Sequence, residues 1–528
     1  MTTITDDEKS AFFLAEEEVA FHRARGRTCY VDADGNIRDG EKPSPFVKIS
    51  LPKPIIEPIS PSPVGTPSEV SRSLSPEGSY DADLLKSAPA IYSRSWSEHP
   101  GVIAAIDHLI DEVLRFRKSH GRRIKSLRKY KKHLKVLVID LWVARKVSLN
   151  PYRAISLRKP DYRGETRYWK MFLKYDYVVG VVNDMIELGY FDKRRGFKSP
   201  TVGYRTRLRA TDHLIEAIER SGMPKTHIRK AVKSLECDPE SGKDIRAETI
   251  ILRDADKNAI AYKDTPAIVR MRGNLERINA YLAKNHITLR ATDDEFKALE
   301  ARLRGAGGRG RKTIDFTREA LHRVFNEDFD HGGRFYGGWW QEIPKEFRKF
   351  IEINHKHTIE LDYSGHHFRI LYAKEGLSPP DDPYDITGFD RDTLKLLAVI
   401  MLNAKDQRSA LKAATAKGIK KPATLAKALL SQHKPIVHHF YTGAGRTLQL
   451  LDSNIAEDVM LKMIDREAAV LPVHDSFLAR AGWDVDLEEV MIEAFEKHYG
   501  KAAIKPKRTL LDDKEPRSKS FTKFNEIF

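Results

Sequence analysis

Thr358-Ile359-Glu360-Leu361-Asp362-Tyr363-Ser364-Gly365-His366-His367-Phe368-Arg369-Ile370-Leu371-Tyr372 is the stretch on which the reading of this chain turns. Thr358 to Leu361 alternate as a strand does and deliver Asp362 at the strand's exit, before a turn at Ser364-Gly365. Farther on, Ala469-Val470-Leu471-Pro472-Val473 forms a second apolar run. It delivers His474-Asp475-Ser476 at a predicted turn before Phe477-Leu478-Ala479. Two aspartates from separate strands can converge on divalent magnesium ions, whose hard-cation chemistry favours carboxylate oxygens, phosphates and waters. An aspartate at a strand end is, taken alone, more often a cap or turn residue.

The surrounding chain narrows the choice. Its 528 residues predict three or four domains and a large buried core. Lys and Arg number 91 against 75 Asp and Glu, a formal charge of +16 that favours a polyanionic partner. With two cysteines, Cys29 and Cys237, neither a disulfide framework nor a four-cysteine zinc site can be built, and a reducing compartment fits. The longest apolar runs fall well short of the roughly 20 residues a bilayer crossing needs, and MTTITDDEKS lacks a basic signal start. A soluble, cytoplasmic protein without a membrane partner is expected.

Residues 1–95 form an N-terminal segment. Thr28 to Ile37 read as a short hairpin around Asp34-Gly35, and the Pro/Ser-rich 43–80, with nine prolines between Pro43 and Pro76, read as a disordered linker. Residues 96–225 form a basic region. Arg115 to Lys135 hold eleven Lys or Arg and no acid, the pattern of a helix laid along phosphates or of a solvated basic face. Tyr175 to Ile215 read as helix, basic hairpin, helix, with Gly189 as the C-cap, an order that suits a winged-helix element whose Arg194, Arg195, Arg205, Arg207 and Arg209 touch phosphates. Residues 226–315 read as a helical, thumb-like region ending in GAGGRGRKT. There Arg311 stands where a phosphate-cradling loop needs lysine, and no strand precedes, so a hinge is expected instead of an ATPase.

The words GGRFYGGWWQEIPKEFR, IELDYSGHHFR, RDTLKLL and PVHDSF occur in that order. They resemble the palm and fingers of family A DNA polymerases and of the related bacteriophage-type single-subunit RNA polymerases. GGRFYGG…QEIP is similar to the family's TGRLSS…QNIP, which implies minor-groove and primer-template contacts for Arg334 and Gln341. ELDYSGHHFR is similar to DYSQIELR, making Asp362 a metal ligand and the Tyr363 carbonyl a further one. Arg391 and Lys395 reproduce the R-x-x-x-K spacing of the fingers helix, one turn apart on one face, where they would hold the incoming triphosphate. Val473-His474-Asp475-Ser476 resembles the VHDE or HDS motif, making Asp475 the second aspartate ligand and His474 a neighbour of the primer terminus. In-line phosphoryl transfer needs metals to clamp the attacking and leaving oxygens and cations on the triphosphate, so the residue types agree with the resemblance. Lys395 could also protonate the departing pyrophosphate, and Arg391 could grip the phosphate tail with two hydrogen bonds.

Some positions depart from the family. His367 stands where DNA polymerases carry a glutamate against the ribose 2′-hydroxyl, which leaves sugar choice open. Asn403 replaces the aromatic residue eight positions after the fingers lysine, so the base-pair platform must come from elsewhere. Asp362 and Asp475 are 113 residues apart, which predicts pared-down fingers. Trp339-Trp340 suit either a stacking surface for bases or the edge of a core. The pairs His366-His367 and His438-His439, with His355 and His357, have no cysteine or third carboxylate at ligand spacing, and zinc is not expected. No acidic triplet for a proofreading exonuclease is evident.

The expectation is an α+β chain. Residues 316–528 would form a right-hand polymerase-like palm with short helical fingers, preceded by a mostly helical N-terminal half. It would be a template-directed polymerase using two Mg²⁺ ions, or Mn²⁺ in their place, acting on a DNA primer-template or template and nucleoside triphosphates, with DNA synthesis favoured over RNA synthesis. The competing expectation is an inactive DNA-binding replication or regulatory protein on the same fold. Oligomeric state is left open.

Overall fold

The computed structural model describes residues 29–31, 37–39, 85, 88–164, 166–168, 173–198, 203–222, 231–305, 314–500 and 506–509. The chain divides into two compact units, Met1–Ser73 and Leu74–Phe528. In the first, β1 (Cys29–Val31) and β2 (Ile37–Asp39) pair antiparallel, with Tyr30 opposite Arg38, as the hairpin reading expects. The linker at 43–80 and the glycine-rich 306–313 lie outside the described residues. Among the described residues helix takes about 50% and strand 16%, with a curled sheet, so the class is mixed α and β, compatible with α+β. Among the described residues no helix is long and apolar enough to cross a membrane.

The second unit opens with β3 (Ser95–Trp96), α1 (Pro100–Ser119) and α2 (Leu127–Val147). The basic run is therefore two helix ends and a turn, with Gly121 at φ +65° between them. Much of its charge is neutralised internally. Arg117 Nε lies 2.6 Å from Asp184, Lys132 lies 3.0 Å from both Asp238 and Glu240, and Lys135 sits over the Trp96 ring at 4.0 Å. A continuous helix along phosphates is thus not what these residues build. Arg115, Lys118, Arg122, Arg123, Lys125 and Arg128 keep exposed side chains.

β4 (Arg153–Ile155), α3 (Tyr175–Glu187), β5 (Phe191–Arg194), the short pair β6 (Phe197–Lys198) and β7 (Gly203–Tyr204), β8 (Thr206–Ala210) and α4 (Asp212–Arg220) follow. The strands order as β4-β8-β5, so the helix, hairpin and helix of the sequence reading are present, with a third strand on the sheet. Gly189 ends α3 at φ +76°, and Tyr190 N–H reaches back to Met185 O at 2.8 Å. Two of the five wing arginines are not available to phosphates. Arg207 is buried, donates to Leu85 O at 2.8 Å and stacks on Tyr204, while Arg209 pairs with Asp192 at 2.8 Å over the Tyr152 ring. Arg194, Arg195 and Arg205 remain exposed.

Next come β9 (Lys233–Ser234), paired with β3, then β10 (Ile250–Arg253), α5 (Pro266–Leu282), β11 (Ile287–Leu289) and α6 (Asp293–Gly305). The expected boundary at 315 does not separate distinct bodies. β10 runs parallel to β12 (His322–Asn326), which pairs with β13 (Gly332–Tyr336), and β11 pairs with β14 (Ile351–Ile353).

The sheet that matters for the site is built on β15 (Lys356–Asp362). β15 leads into α7 (His366–Lys374), α8 (Arg391–Asn403), α9 (Gln407–Ala416), α10 (Pro422–Gln432) and α11 (Gly445–Asp465). The chain returns as the hairpin β16 (Val470–Val473) and β17 (Ser476–Arg480), then α12 (Asp484–Tyr499) and β18 (Lys507–Thr509). β17 lies between β15 and β16, and β18 pairs with β15 from the other side, which is the split βαβ arrangement repeated across a hairpin. β15 is thereby flanked by two neighbours over its last three residues, and Thr358, Ile359, Glu360 and Leu361, which alternate between its two faces, are all buried.

A buried polar clamp fixes the hairpin's register. Ser476 Oγ donates to Glu360 Oε1 at 2.7 Å, and Arg348 Nη1 donates to the same oxygen at 2.7 Å. Replacing Ser476 by alanine leaves that acceptor short of a partner and should lower unfolding stability by about 1–3 kcal/mol in denaturant titrations. An unchanged midpoint would show that the clamp contributes nothing.

Candidate functional site

Asp362 ends β15 and stands opposite Ser476, so Asp475 lies one residue from it across the strand pair. Tyr363 N–H donates to Asp475 O at 3.4 Å, fastening the two backbones where the acids emerge. Asp475 is the second residue of a two-residue hairpin turn, and His474, the first, has φ +60°. Positive φ at the first central residue alone is the pattern of a type II′ turn, a place where glycine is usual. A histidine held there carries backbone strain of roughly 1–2 kcal/mol.

Behind Asp362 the chain turns through Gly365 at φ +70°, where an added Cβ would lie 2.8 Å from Pro383 Cγ, and enters α7. α8 starts at Arg391 because the Asp390 carboxylate accepts from Thr393 N at 2.8 Å. Lys395, one turn on, projects a positive charge that acts on Asp362. Burial first, and then the neighbouring Asp475 carboxylate, push the Asp362 carboxyl above its ordinary pKa, with Lys395, the Ser364 amide and Lys345 opposing. Two carboxylates of like charge therefore sit together. Among the described residues neither makes an ion pair with a basic side chain. That donor set fits Mg²⁺, which takes one or two carboxylates and completes its shell with phosphate and water.

A third acid sits nearby. Asp452 on α11 is 3% exposed and receives Arg334 Nε at 3.1 Å, a second Arg334 nitrogen, and His367 Nε2 at 3.1 Å. Burial would raise its carboxyl, but the His367 hydrogen bond and the Arg334 guanidinium outweigh this and hold it below the usual carboxylate range. Arg323, fully buried on β12, fastens the same helix through Ser453 and Asn454 at 2.9 Å each and Glu457 at 3.4 Å. Basic side chains continue outward. Arg391 Nε lies 2.5 Å from Asp382, its guanidinium is 5.7 Å from the Tyr384 ring, and Lys507 on β18 stands opposite Asp362.

The structure thus brings Asp362, Tyr363, Asp475, Lys395, His474, His367 and Arg334 into one region, with Arg391 at its edge. Arg334 is engaged by Asp452 inside the protein. Gln341 Nε2 donates to Phe335 O at 3.0 Å and Pro472 O at 3.1 Å, so it braces β13 and β16. Asn403 caps its own helix through Val399 O at 2.8 Å and lies against Gly445, where a Cβ would collide with its Oδ1. Trp339 and Trp340 belong to the core, Trp340 donating to Pro472 O at 3.1 Å, so they offer no surface for bases. The Tyr363 hydroxyl is equally internal, donating to Met491 O at 2.6 Å. Partial burial of its ring, then Arg334, keep the His474 imidazole below its ordinary pKa, and the ring meets Tyr336 edge-on at 6.1 Å. A separate cleft of about 350 Å³, lined by Arg318, His322, Tyr336 and Trp339, opens behind Tyr336.

Asp452, Tyr384, Lys507 and the Glu360–Arg348 pair escape a sequence reading. A signal for the first does exist: Leu448, Asp452, Ile455 and Val459 share the buried stripe of α11, and an acid on an apolar stripe demands a partner. Tyr384 is buried within the electrostatic reach of Asp475, Asp382, Asp362 and Arg391, which a short loop motif does not announce.

The raised Asp362 pKa has a defined sign. An acid whose folded pKa lies above its unfolded value of about 3.9 favours folding below that value and loses the contribution as pH rises through the folded pKa. In metal-free buffer at pH 7, Asp362→Asn should therefore melt higher than the wild type, with the gap closing toward pH 4, and added Mg²⁺ should raise the wild-type melting temperature more than the variant's. A variant that melts lower at pH 7 would contradict the unneutralised pair. At the turn, His474→Gly should melt at or above the wild type, since glycine takes positive φ without strain, while His474→Val lowers stability by about 1–2 kcal/mol, because a β-branched residue resists positive φ. Equal melting curves for the two variants would exclude the strained turn. A scan against family models finds no match to this chain, and neither does a search of curated proteins.

Proposed function

We propose that the chain is a template-directed nucleic acid polymerase, a nucleotidyltransferase that extends DNA from nucleoside triphosphates, with deoxynucleotides preferred. The single observation that carries this reading is the register that sets Asp362 beside Asp475 on paired strands with the Lys395 charge acting on them. Residues 316–528 would then be the palm, and the helices α8 to α10 inserted after β15 the fingers. The resemblance of the four sequence words supplies the reaction class.

Asp362 and Asp475, with the Tyr363 carbonyl beside them, would hold the ions. Two Mg²⁺ ions, replaceable by Mn²⁺, supply charge neutralisation and alignment of the attacking and leaving oxygens when bound. Arg391 would leave Asp382 for the triphosphate tail, an exchange of one charge-assisted partner for another. Lys395 would pair with the leaving pyrophosphate and donate its Nζ proton to it. Leu396 and Val399, 42% and 43% exposed beside Lys395, would give the new base pair an apolar cover in place of the missing aromatic ring. His367, anchored by Asp452, would stand at the sugar, and His474 at the primer end.

Primer extension on a labelled DNA template with Mg²⁺ tests this. Extension with deoxynucleotides, a weaker reaction with ribonucleotides, and loss of at least about a thousandfold in Asp362→Ala and Asp475→Ala with template affinity kept are expected. Absence of extension with either nucleotide set, alongside salt-sensitive DNA binding, would leave the inactive DNA-binding protein as the reading.

A further inference from the structure

At the C-terminal end of α7, the end away from Asp362, lies a cluster that the sequence spacing conceals. Glu375 caps the C-terminus of α7, its N–H turned back on the carbonyls of Leu371, Tyr372 and Ala373, and Gly376 follows at φ +70°. Sixty-three residues later a 3₁₀ turn, Lys434–His439, ends in two adjacent histidines. His438 Nε2 lies 3.1 Å and His439 Nε2 3.0 Å from the same carboxylate oxygen, Glu375 Oε1. The three potential ligand atoms all fall within 4.8 Å of one another, and the two rings are 4.1 Å apart. Neighbouring residues ordinarily diverge, so this convergence on one oxygen is a property of how α7 and the 3₁₀ turn are docked.

The docking is firm. His433, fully buried, bonds Tyr372 Oη through Nδ1 at 3.0 Å and Pro383 O through Nε2 at 2.7 Å. The Phe368 ring of α7 packs edge-on to His433 at 4.6 Å and to Phe440 at 5.9 Å. The frame holding Glu375 against His438 and His439 is therefore set by core contacts, before any ion arrives.

We propose that Glu375, His438 and His439 form a zinc site. Two imidazole nitrogens and a carboxylate oxygen are a borderline-soft set that suits Zn²⁺ and disfavours Mg²⁺ and Ca²⁺, which take oxygen shells. With zinc bonds of about 2.0–2.1 Å, tetrahedral ligand atoms stand roughly 3.3 Å apart. The observed 3.0 and 3.1 Å need only small side-chain rotations to reach that spacing. Three protein ligands leave a fourth position for water. His438 is 57% exposed, which gives the ion an entry path. The bound ion would cross-link the end of the helix that leaves Asp362 to the segment that leads into α11 and Asp452. This site is distinct from the acidic pair and does not depend on nucleotide chemistry.

The test uses the full chain, stripped with a chelator and returned to buffer holding millimolar Mg²⁺ so that the acidic pair is served first. Calorimetric titration with ZnCl₂ should show one saturable site, and zinc should raise the melting temperature by a few degrees. Co²⁺ in its place should give the visible absorption of a four- or five-coordinate ion. Glu375→Gln and His438→Ala should each weaken binding at least tenfold and cancel the melting shift, the exposed His438 serving as the readout where Glu375→Gln disturbs the helix end. Absence of saturable zinc binding, or unchanged affinity and stoichiometry in His438→Ala, would overturn the site.

Discussion

Placing two carboxylates of like charge side by side at the ends of paired strands is costly, and the surrounding structure is arranged to keep them there. Their backbones are joined through Tyr363 N–H and Asp475 O, and the hairpin that carries Asp475 is locked to β15 by Ser476, Glu360 and Arg348. The turn itself accepts a strained histidine. Strain and unneutralised charge in one place persist only where the scaffold over-determines them, and they concentrate where a protein does chemistry or binds ions.

α11 couples that centre to the rest of the unit. One side of the helix receives Arg323 from β12, and the adjoining turn receives Arg334 from β13. Two arginines on paired strands thus grip one helix through Ser453, Asn454, Glu457 and Asp452. A buried charge left without its partner is far more costly than a missing apolar contact. The β12–β13 hairpin therefore cannot slide along α11, and His367, which shares Asp452, inherits the same fixed frame.

What could be read from the sequence was local. The period-two run into Asp362, the hairpin at His474-Asp475 and the R-x-x-x-K helix follow from patterns within a dozen residues, and β15, the β16–β17 pair and α8 fall there. What failed was charge partnership at long range. Arg115 to Lys135 read as a phosphate-facing run because Asp184, Asp238 and Glu240, which neutralise part of it, lie 50 residues or more away in the chain. Arg207 and Arg209 read as wing contacts because a hairpin pattern does not show that the Leu85 carbonyl and the Asp192 carboxylate take them, and Arg334 and Gln341 read as minor-groove and primer-template contacts although Asp452 and Pro472 O claim them. The Glu375–His438–His439 cluster was invisible to ligand-spacing rules because its carboxylate comes from another helix.

β18 supplies the second edge partner of β15 at Asp362 itself, and it is the most C-terminal of the described strands. During synthesis, β15 and the β16–β17 hairpin leave the ribosome well before Lys507, so the strand end bearing Asp362 waits with one bare edge. A nascent chain in that state presents an unpaired strand to its neighbours, with the hazard of intermolecular pairing. Maturation of the acidic centre is in this way deferred until residues 507–509 have emerged, and a fusion that hinders them from docking would leave the centre permanently in its unfinished form.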